Sequence, residues 1–440
     1  VIHPGLRAQG DPSSQSASPF PPALDQGLIA GVVLAEAGSR ADVVKLDHRH
    51  TALPPPLRFL HARGICSRDA MTRRIYLDHA ATTPLRPEAA AVLRELEGEP
   101  LNASSVHRGG QRARRLLEGA RAELAEAIGA RETEVVFTSG ATESNNLAIR
   151  GMVDAQRDRP LRVASSALEH ACIRGTLTAL LRLHRVEVTA LGVQASGRAS
   201  IDVARGADLL CLLAVQNETG VVQDLGGARA CGVPWLCDAS QAFGKIALRV
   251  NELGAHLVTI SSHKIGGPLG IGALAGPGVA KLTAQITGGP QEAELRAGTQ
   301  AVPLAVAFAR AASLAVAERE AESARRLALE GVLLGALTSN GIEFTRNGDE
   351  PRAAGFVNIS IRGFEGSDLV IALDARGFDT SSGAACSTGV MEISPAISAM
   401  FPGDAERAAG ALRITFGRAT NEADVLALAA AVRTIVEGRR

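Results

Sequence analysis

The sequence predicts an α/β protein, a large domain on a mostly parallel sheet followed by a smaller α+β domain. Three observations predict it. From Met71 onward, apolar runs of strand length alternate with stretches of helical periodicity, the order that builds parallel sheets. Several of these runs are continuous rather than alternating, as expected for strands covered on both faces. The last third reads as α+β rather than as alternating strand and helix.

Residues 1–70 read differently from the rest. Asp11 to Pro22 is rich in Ser and Pro, and Pro54-Pro55-Pro56 is a second breaker. Leu28 to Ala35 is apolar but too short to span a bilayer, and basic residues are missing just upstream of it. The segment reads as a disordered extension, or as an over-extended translation start with Met71 as the true one.

Beyond Met71, residues 112–130 carry Leu117, Ala120, Leu124 and Ile128 at helical spacing. Val135-Val136-Phe137-Thr138 is a buried strand, followed by Ser139-Gly140-Ala141-Thr142 and a helix. Further strands are expected at 162–165, 186–191, 209–215, 233–238 and 257–261. In the last third, strands at 356–361 and 412–416 accompany helices at 367–376 and 422–437. Val425, Leu428, Ala429, Val432 and Ile435 form one apolar stripe on the final helix.

Composition narrows the function. The chain has 440 residues, with 46 basic and 46 acidic side chains. That balance gives no sign of nucleic acid or of a charged membrane surface as a partner. Tyr76 and Trp235 are the only tyrosine and tryptophan, so Ala, Leu and Val must build the core. The cysteines at 66, 172, 211, 231, 237 and 386 show no CxxC spacing. This argues against a disulfide framework and a zinc site, and favours a reducing cytoplasm. The Ala-rich segment 301–317 is interrupted by Arg310 and is too short to span a bilayer.

Lys264 is the most informative residue. It stands in Ser261-Ser262-His263-Lys264-Ile265-Gly266-Gly267-Pro268, directly after the apolar run Leu257 to Ile260. A lysine at the end of a buried strand is well placed to lose its proton and condense with an aldehyde, the task of a pyridoxal-phosphate lysine. Taken alone, a lysine reaching out to water explains the position as well.

Other polar groups fall just past the carboxyl ends of strands, where open α/β sheets bind ligands. Backbone N–H groups at Ala141 and Thr142, with the Thr142 hydroxyl, suit a phosphate cup; an ordinary capped turn is the alternative. Asp238 suits pairing with a pyridinium nitrogen, and Gln241 could reach a phenolic oxygen, although a strand-end Asp is also a common helix cap. His170 could stack on a flat ring or simply cap a helix. Asn217 ends the run 209–215. Arg413 interrupts an apolar strand and needs an anion, met by an amino-acid carboxylate or by an internal salt bridge. Cys386 lies among small residues, Ser381-Ser382-Gly383-Ala384-Ala385-Cys386-Ser387, which cannot pack a core. A cysteine there suggests a nucleophile that travels. The glycine-rich run 266–272 lacks the strand–GxGxxG–helix order and a Walker lysine, so it is not a nucleotide loop.

These residues, in this order, resemble the cysteine desulfurases, class V aminotransferase-like pyridoxal-phosphate enzymes that make persulfide for iron–sulfur clusters. The matching stretches are Ile75 to Asp78 with Ala81-Thr82-Thr83-Pro84, Asn102 with Ser104 to His107, Phe137 to Asn146, Glu169-His170, Asn217 to Asp224, Asp238 to Lys245, Ser261 to Lys264, Arg296 to Thr299, Ser381 to Cys386, and Arg413 to Arg418. They span essentially all of 74–438.

The resemblance implies pyridoxal-phosphate transferase fold type I. Residues 86–319 would form the large cofactor-binding domain, and 71–85 with 320–440 the small one. Lys264 would carry the cofactor covalently and His170 would stack on it. Asp238 and Gln241 would meet the ring nitrogen and phenolic oxygen. Ala141, Thr142, Ser261 and His263 would bind the phosphate, with Thr299 reaching in from the second subunit of a homodimer. Asn217, which also lies beside the cofactor, would hold the substrate carboxylate with Arg413 and Asn102. Cys386 would form the persulfide and could contact a transferred iron–sulfur cluster; no resident metal is implied. L-cysteine would be the substrate, alanine the product, and an iron–sulfur scaffold or another thiol acceptor the partner. Selenocysteine lyase, another class V aminotransferase, or a non-catalytic sulfur carrier are the competing functions. The chain departs from the family at 288–294, Gly-Gly-Pro-Gln-Glu-Ala-Glu, where three glycines and an extra arginine are usual, and at Gly267 and Leu269.

Overall fold

A computed structural model describes residues 73–156, 158–383 and 393–439. The expected leader, 1–70, and Cys386 lie outside the described residues.

The chain begins with a short strand β1 (Ile75–Tyr76) and helices α1 (Pro87–Leu96) and α2 (Arg108–Ile128). Strands and helices then alternate: β2 (Val135–Thr138), α3 (Ala141–Ala155), β3 (Leu161–Ser166), α4 (Ala171–Arg182), β4 (Val186–Leu191), β5 (Leu209–Leu213), α5 (Leu225–Ala230), β6 (Trp235–Asp238), α6 (Val250–Leu253), β7 (Leu257–Ser261) and β8 (Gly272–Ala275). A 38-residue helix α7 (Val302–Ser339) follows. The remainder is β9 (Phe344–Arg346), β10 (Phe356–Ile361), α8 (Gly366–Asp374), β11 (Phe378–Asp379), α9 (Pro395–Met400), α10 (Ala405–Ala409), β12 (Ala411–Thr415) and α11 (Glu422–Arg439).

Seven strands form the main sheet in the order β2-β8-β7-β6-β5-β3-β4, with only β8 antiparallel to its neighbours. Side chains alternate strictly between its two faces. Leu210, Leu212, Cys237, Val258 and Ile260 join one apolar cluster with Leu117 of α2 and Phe308 of α7. Leu209, Cys211, Leu236 and Leu257 join another with Leu147 of α3 and Leu177 of α4. Burial on both faces is why these strands read as continuous apolar runs.

A second, antiparallel sheet, β12-β10-β9, packs with α8 and α11 around a third cluster that includes Val357, Leu412 and Leu428. Helix α7 serves both regions. Its first half, Val302 to Ala315, is buried in the first cluster, and Leu329, Leu333 and Leu337 enter the third. Among the described residues, no helix is long and apolar enough to cross a membrane.

Several expected bounds move; the strand expected at 233–238 starts only at Trp235. The helix expected at 112–130 starts earlier, at Arg108, because the His107 ring accepts the Gly110 N–H at 3.2 Å and caps it. It ends at Gly129, whose left-handed φ of 70° closes the last turn. The strand expected at 209–215 ends at Leu213, although Val215 still bridges to Val222. Strand β8 was not anticipated, since its Gly-Ala-Leu-Ala sequence looks like loop.

Candidate active site

The carboxyl ends of β5, β6 and β7 and the amino end of α3 converge on a cavity of about 360 Å³. Lys264 follows β7 in a single tight turn, Ser262–Lys264. Its Nζ donates to the backbone carbonyls of Ala80 at 2.5 Å and Ala81 at 2.7 Å. The amino-terminal segment after β1 is thereby drawn against the end of the sheet. His263 stands next to it with Nδ1 3.0 Å from the Thr82 hydroxyl. Burial, then the charges of Lys264 and Lys245, bring the His263 pKa down to about 4, so the ring is neutral at neutral pH.

Asp238 is the last residue of β6 and is buried. Its Oδ2 accepts the Asn145 amide at 2.8 Å, and its Oδ1 accepts the Ser240 N–H at 2.9 Å and hydroxyl at 2.5 Å. The carboxylate is therefore fixed in orientation. Gln241 donates to the Ala80 carbonyl at 2.7 Å. His170 caps α4, its Nδ1 accepting the Cys172 N–H at 3.2 Å. Its neighbour Glu169 is wholly buried, and burial pushes its carboxyl well above the usual range.

At the other end of the cavity, α3 begins at Ala141 with no side chain capping it. Its first N–H groups lack intrahelical acceptors and face the cavity with Thr142. Gly140 has φ 153°, and a Cβ there would meet nothing within 4 Å. Gly272 explains the tight geometry: a Cβ on it would lie 2.7 Å from Gly140 Cα. Ser261, at the end of β7, and His263 complete this corner.

Arg413 is almost fully buried in β12. It donates to Asp78 Oδ1 at 2.8 Å and to the Asn217 carbonyl at 3.2 Å. Its Nε is buried without a partner. Both readings of this arginine are therefore visible, an internal salt bridge and a donor left over beside the cavity.

The structure brings together Ala141, Thr142, His170, Asn217, Asp238, Gln241, Ser261, His263, Lys264 and Arg413. It does not bring Asn102 or Thr299 into the cavity; both are exposed elsewhere on this chain. Asn102 instead accepts the Ser104 N–H at 2.9 Å. Sequence reasoning gave no role to Asn145, Asp78 or the Ala80–Ala81 carbonyls. Asn145 lies on α3, seven residues after the β2 terminus, and Asp78 is an acid next to a short strand. Neither pattern marks a site without knowing what packs opposite.

The donor set fits pyridoxal phosphate. An uncapped helix start beside an open glycine suits a phosphate. A fixed carboxylate suits a pyridinium, an amine suits an aldehyde, and the orphaned Arg413 Nε suits a carboxylate.

Known proteins agree with this geometry. The class-V aminotransferase family matches residues 75–428. An IscS-like cysteine desulfurase of Mycobacterium tuberculosis is 37% identical over 366 residues, 80% of this chain and 93% of that protein. The cysteine desulfurase IscS of Dictyoglomus turgidum is 34% identical, covering 81% and 92%. Among solved structures, a NifS-like protein superposes with TM-score 0.77 at 25% identity, over 83% of this chain and all of that one. SspA in complex with cysteine superposes with TM-score 0.68 at 28% identity, over 78% and 98%. With a sheet, a lysine and an acid of this kind in place, and with relatives this similar over most of both chains, the chain belongs to the class-V aminotransferase family and, within it, to the cysteine desulfurases.

Proposed function

We propose that this protein converts L-cysteine to L-alanine with pyridoxal phosphate held on Lys264 and leaves the sulfur as a persulfide on Cys386. The observation that carries the reading is the single cavity shared by Lys264, Asp238 and Arg413. Bound pyridoxal phosphate supplies an electron sink for charge that develops at the substrate α-carbon. The chain's own residues do the rest. The α3 amino terminus, Thr142, Ser261 and the neutral His263 ring would anchor the phosphate. Asp238, locked by Asn145 and Ser240, would favour a protonated ring nitrogen, His170 would stack on the ring, and Gln241 would meet its phenolic oxygen. Arg413 and Asn217 hold the substrate carboxylate; Asn102, outside the cavity of its own chain, would join them only from a second subunit. Lys264 takes the α-proton and returns a proton to the product. The Cys386 thiolate attacks the substrate sulfur; the Cβ–S bond breaks, an S–S bond forms on Cys386, and the three-carbon unit leaves as alanine.

Sulfur then passes to an iron–sulfur scaffold or another thiol acceptor. We read the protein as a cytoplasmic homodimer in which Thr299 of one subunit completes the phosphate site of the other. Residues 86–319 would form the cofactor-binding domain, and 71–85 with 320–440 the small one.

Purified protein incubated with cysteine, with alanine and protein-bound persulfide followed together, tests the reading. Lys264→Ala should abolish turnover. Cys386→Ser should still bind cofactor and cysteine, but form no persulfide and release almost no alanine. Full cysteine turnover by Cys386→Ser would remove the desulfurase reading and favour a lyase independent of an enzyme thiol.

A further inference from the structure

A second cavity, of about 190 Å³, shares Lys264 with the first. Its charged wall is entirely basic: Arg86, Lys245, Arg326 and Arg418 line it beside Lys264, and no carboxylate does. These side chains come from four different parts of the fold. Arg86 precedes α1, Lys245 follows β6, Arg326 lies midway along α7, and Arg418 follows β12.

The counter-charges present do not satisfy the cluster. Glu318 receives Arg86 at 2.9 Å and also Arg418 at 3.2 Å. Glu322 receives Arg326 at 3.1 Å and is shared with Arg325 at 2.9 Å. Lys245 has only the neutral Gln241 Oε1, at 3.3 Å, and the Phe356 ring, 5.9 Å away; among the described residues no carboxylate pairs with it. Arg326 Nε is buried without a partner. His79, 6% exposed, also lines the cavity and has its Nδ1 buried without a partner. Cations enclosed together repel one another and lose hydration, and neither cost is repaid unless a negative charge enters.

We propose that this second cavity is a binding site for one small tetrahedral oxyanion of the sulfate or phosphate class, held by Lys245, Arg326 and Arg418. The donors approach from separate elements rather than as one planar fork. That arrangement suits a tetrahedral group with oxygens on all sides better than a carboxylate, which a single guanidinium satisfies. The charge balance agrees: burial, then Arg326 and Lys264, push the Lys245 pKa well below its ordinary value, the response expected of a cation that lacks its anion.

The test uses the cofactor-loaded protein, so that the phosphate site of the first cavity is filled, with saturating L-alanine to occupy the Arg413 side. Sulfate is titrated by calorimetry at constant ionic strength; inorganic phosphate, acetate and chloride are separate arms. One sulfate per chain should bind, with phosphate similar and acetate and chloride much weaker. Lys245→Met and Arg326→Gln should each weaken sulfate about tenfold or more, the size of a lost charge-assisted contact. Arg418→Gln changes an exposed rim residue, so it reports on the site even if the deeper variants fold poorly. Unchanged sulfate affinity in Arg418→Gln and in whichever deeper variant folds would overturn the proposal. So would sulfate binding no tighter than acetate. Failure of the cofactor to load on Lys264 would count against the proposed function instead, and the loss of sulfate affinity in Lys245→Met, Arg326→Gln and Arg418→Gln, none of which lines the first cavity, would still decide the proposal.

Discussion

Arg413 shows how one side chain is divided between structure and chemistry. Asp78 and the Asn217 carbonyl fix two of its nitrogens, and the third is buried and unpaired. A lysine can keep a charge there but cannot hold Asp78 and a carboxylate at once. Arg413→Lys should raise KM for cysteine roughly 10- to 100-fold with a smaller loss in kcat, the pattern of lost substrate binding. Equal losses in both would place Arg413 in the chemical step instead. His79 makes a pH prediction. Burial, with the charge of Arg326 next, lowers its pKa to about 4. The unfolded chain binds the proton near pH 6.5 and the folded chain only near pH 4. Its contribution is therefore intact above pH 6.5 and is lost as pH falls towards 4. His79→Gln removes this term. The stability gap between wild type and variant should close by about 2–3 kcal/mol over that window, followed by chemical denaturation. A gap independent of pH would show that His79 does not resist protonation.

At the scale of elements, the segment 288–294 holds an unusual backbone in place. Glu292, Ala293 and Glu294 all take left-handed backbone, with φ 49°, 55° and 64°, which is costly without glycine. The Glu292 carboxylate holds the turn down. It accepts Arg121 at 2.7 and 2.9 Å and the Phe137 N–H of β2 at 2.8 Å, all buried. The segment is thus fastened both to α2 and to β2, the strand that leads to the start of α3. Glu292→Gln leaves Arg121 without its full counter-charge and should destabilise the fold by about 3 kcal/mol, seen as a lower denaturation midpoint. A loss below about 0.5 kcal/mol would mean that the strained turn stands unaided.

For the whole molecule, the exposed positions of Asn102 and Thr299 bear on assembly. Neither reaches the cavity of its own chain, so any part they take in it requires a second copy. Under the proposed dimer, light scattering should give two chains per particle, and Thr299→Ala should lose cofactor faster on dilution, because one contact to the phosphate is gone. A fully active monomer would remove Thr299 from the site. Helix α7 decides much of the rest. One end is buried on nearly all sides against alanines of the first cluster, and the other buries only Leu329, Leu333 and Leu337 in the third. No single stripe runs its length, and for that reason its periodicity was not legible in the sequence.

The alternation of strands and helices beyond Met71, the strands 186–191, 257–261 and 356–361 to the residue, and the strand-end position of Lys264, Asp238, Asn217 and His170 were determined by the sequence. Local periodicity and turn chemistry suffice for these. Three things were decided only by tertiary structure. Strand β8 exists because β2 and β7 leave a slot that small residues fill, not because Gly-Ala-Leu-Ala prefers to be extended. Asn145 and Ser240 became the holders of Asp238, and Ala80 and Ala81 the acceptors for Lys264, because packing brought them there. The basic second cavity is invisible in a chain of zero net charge, since its cations are scattered from residue 86 to residue 418. Periodicity is a property of neighbours along the chain, whereas a hydrogen bond or a charge cluster is a property of neighbours in space.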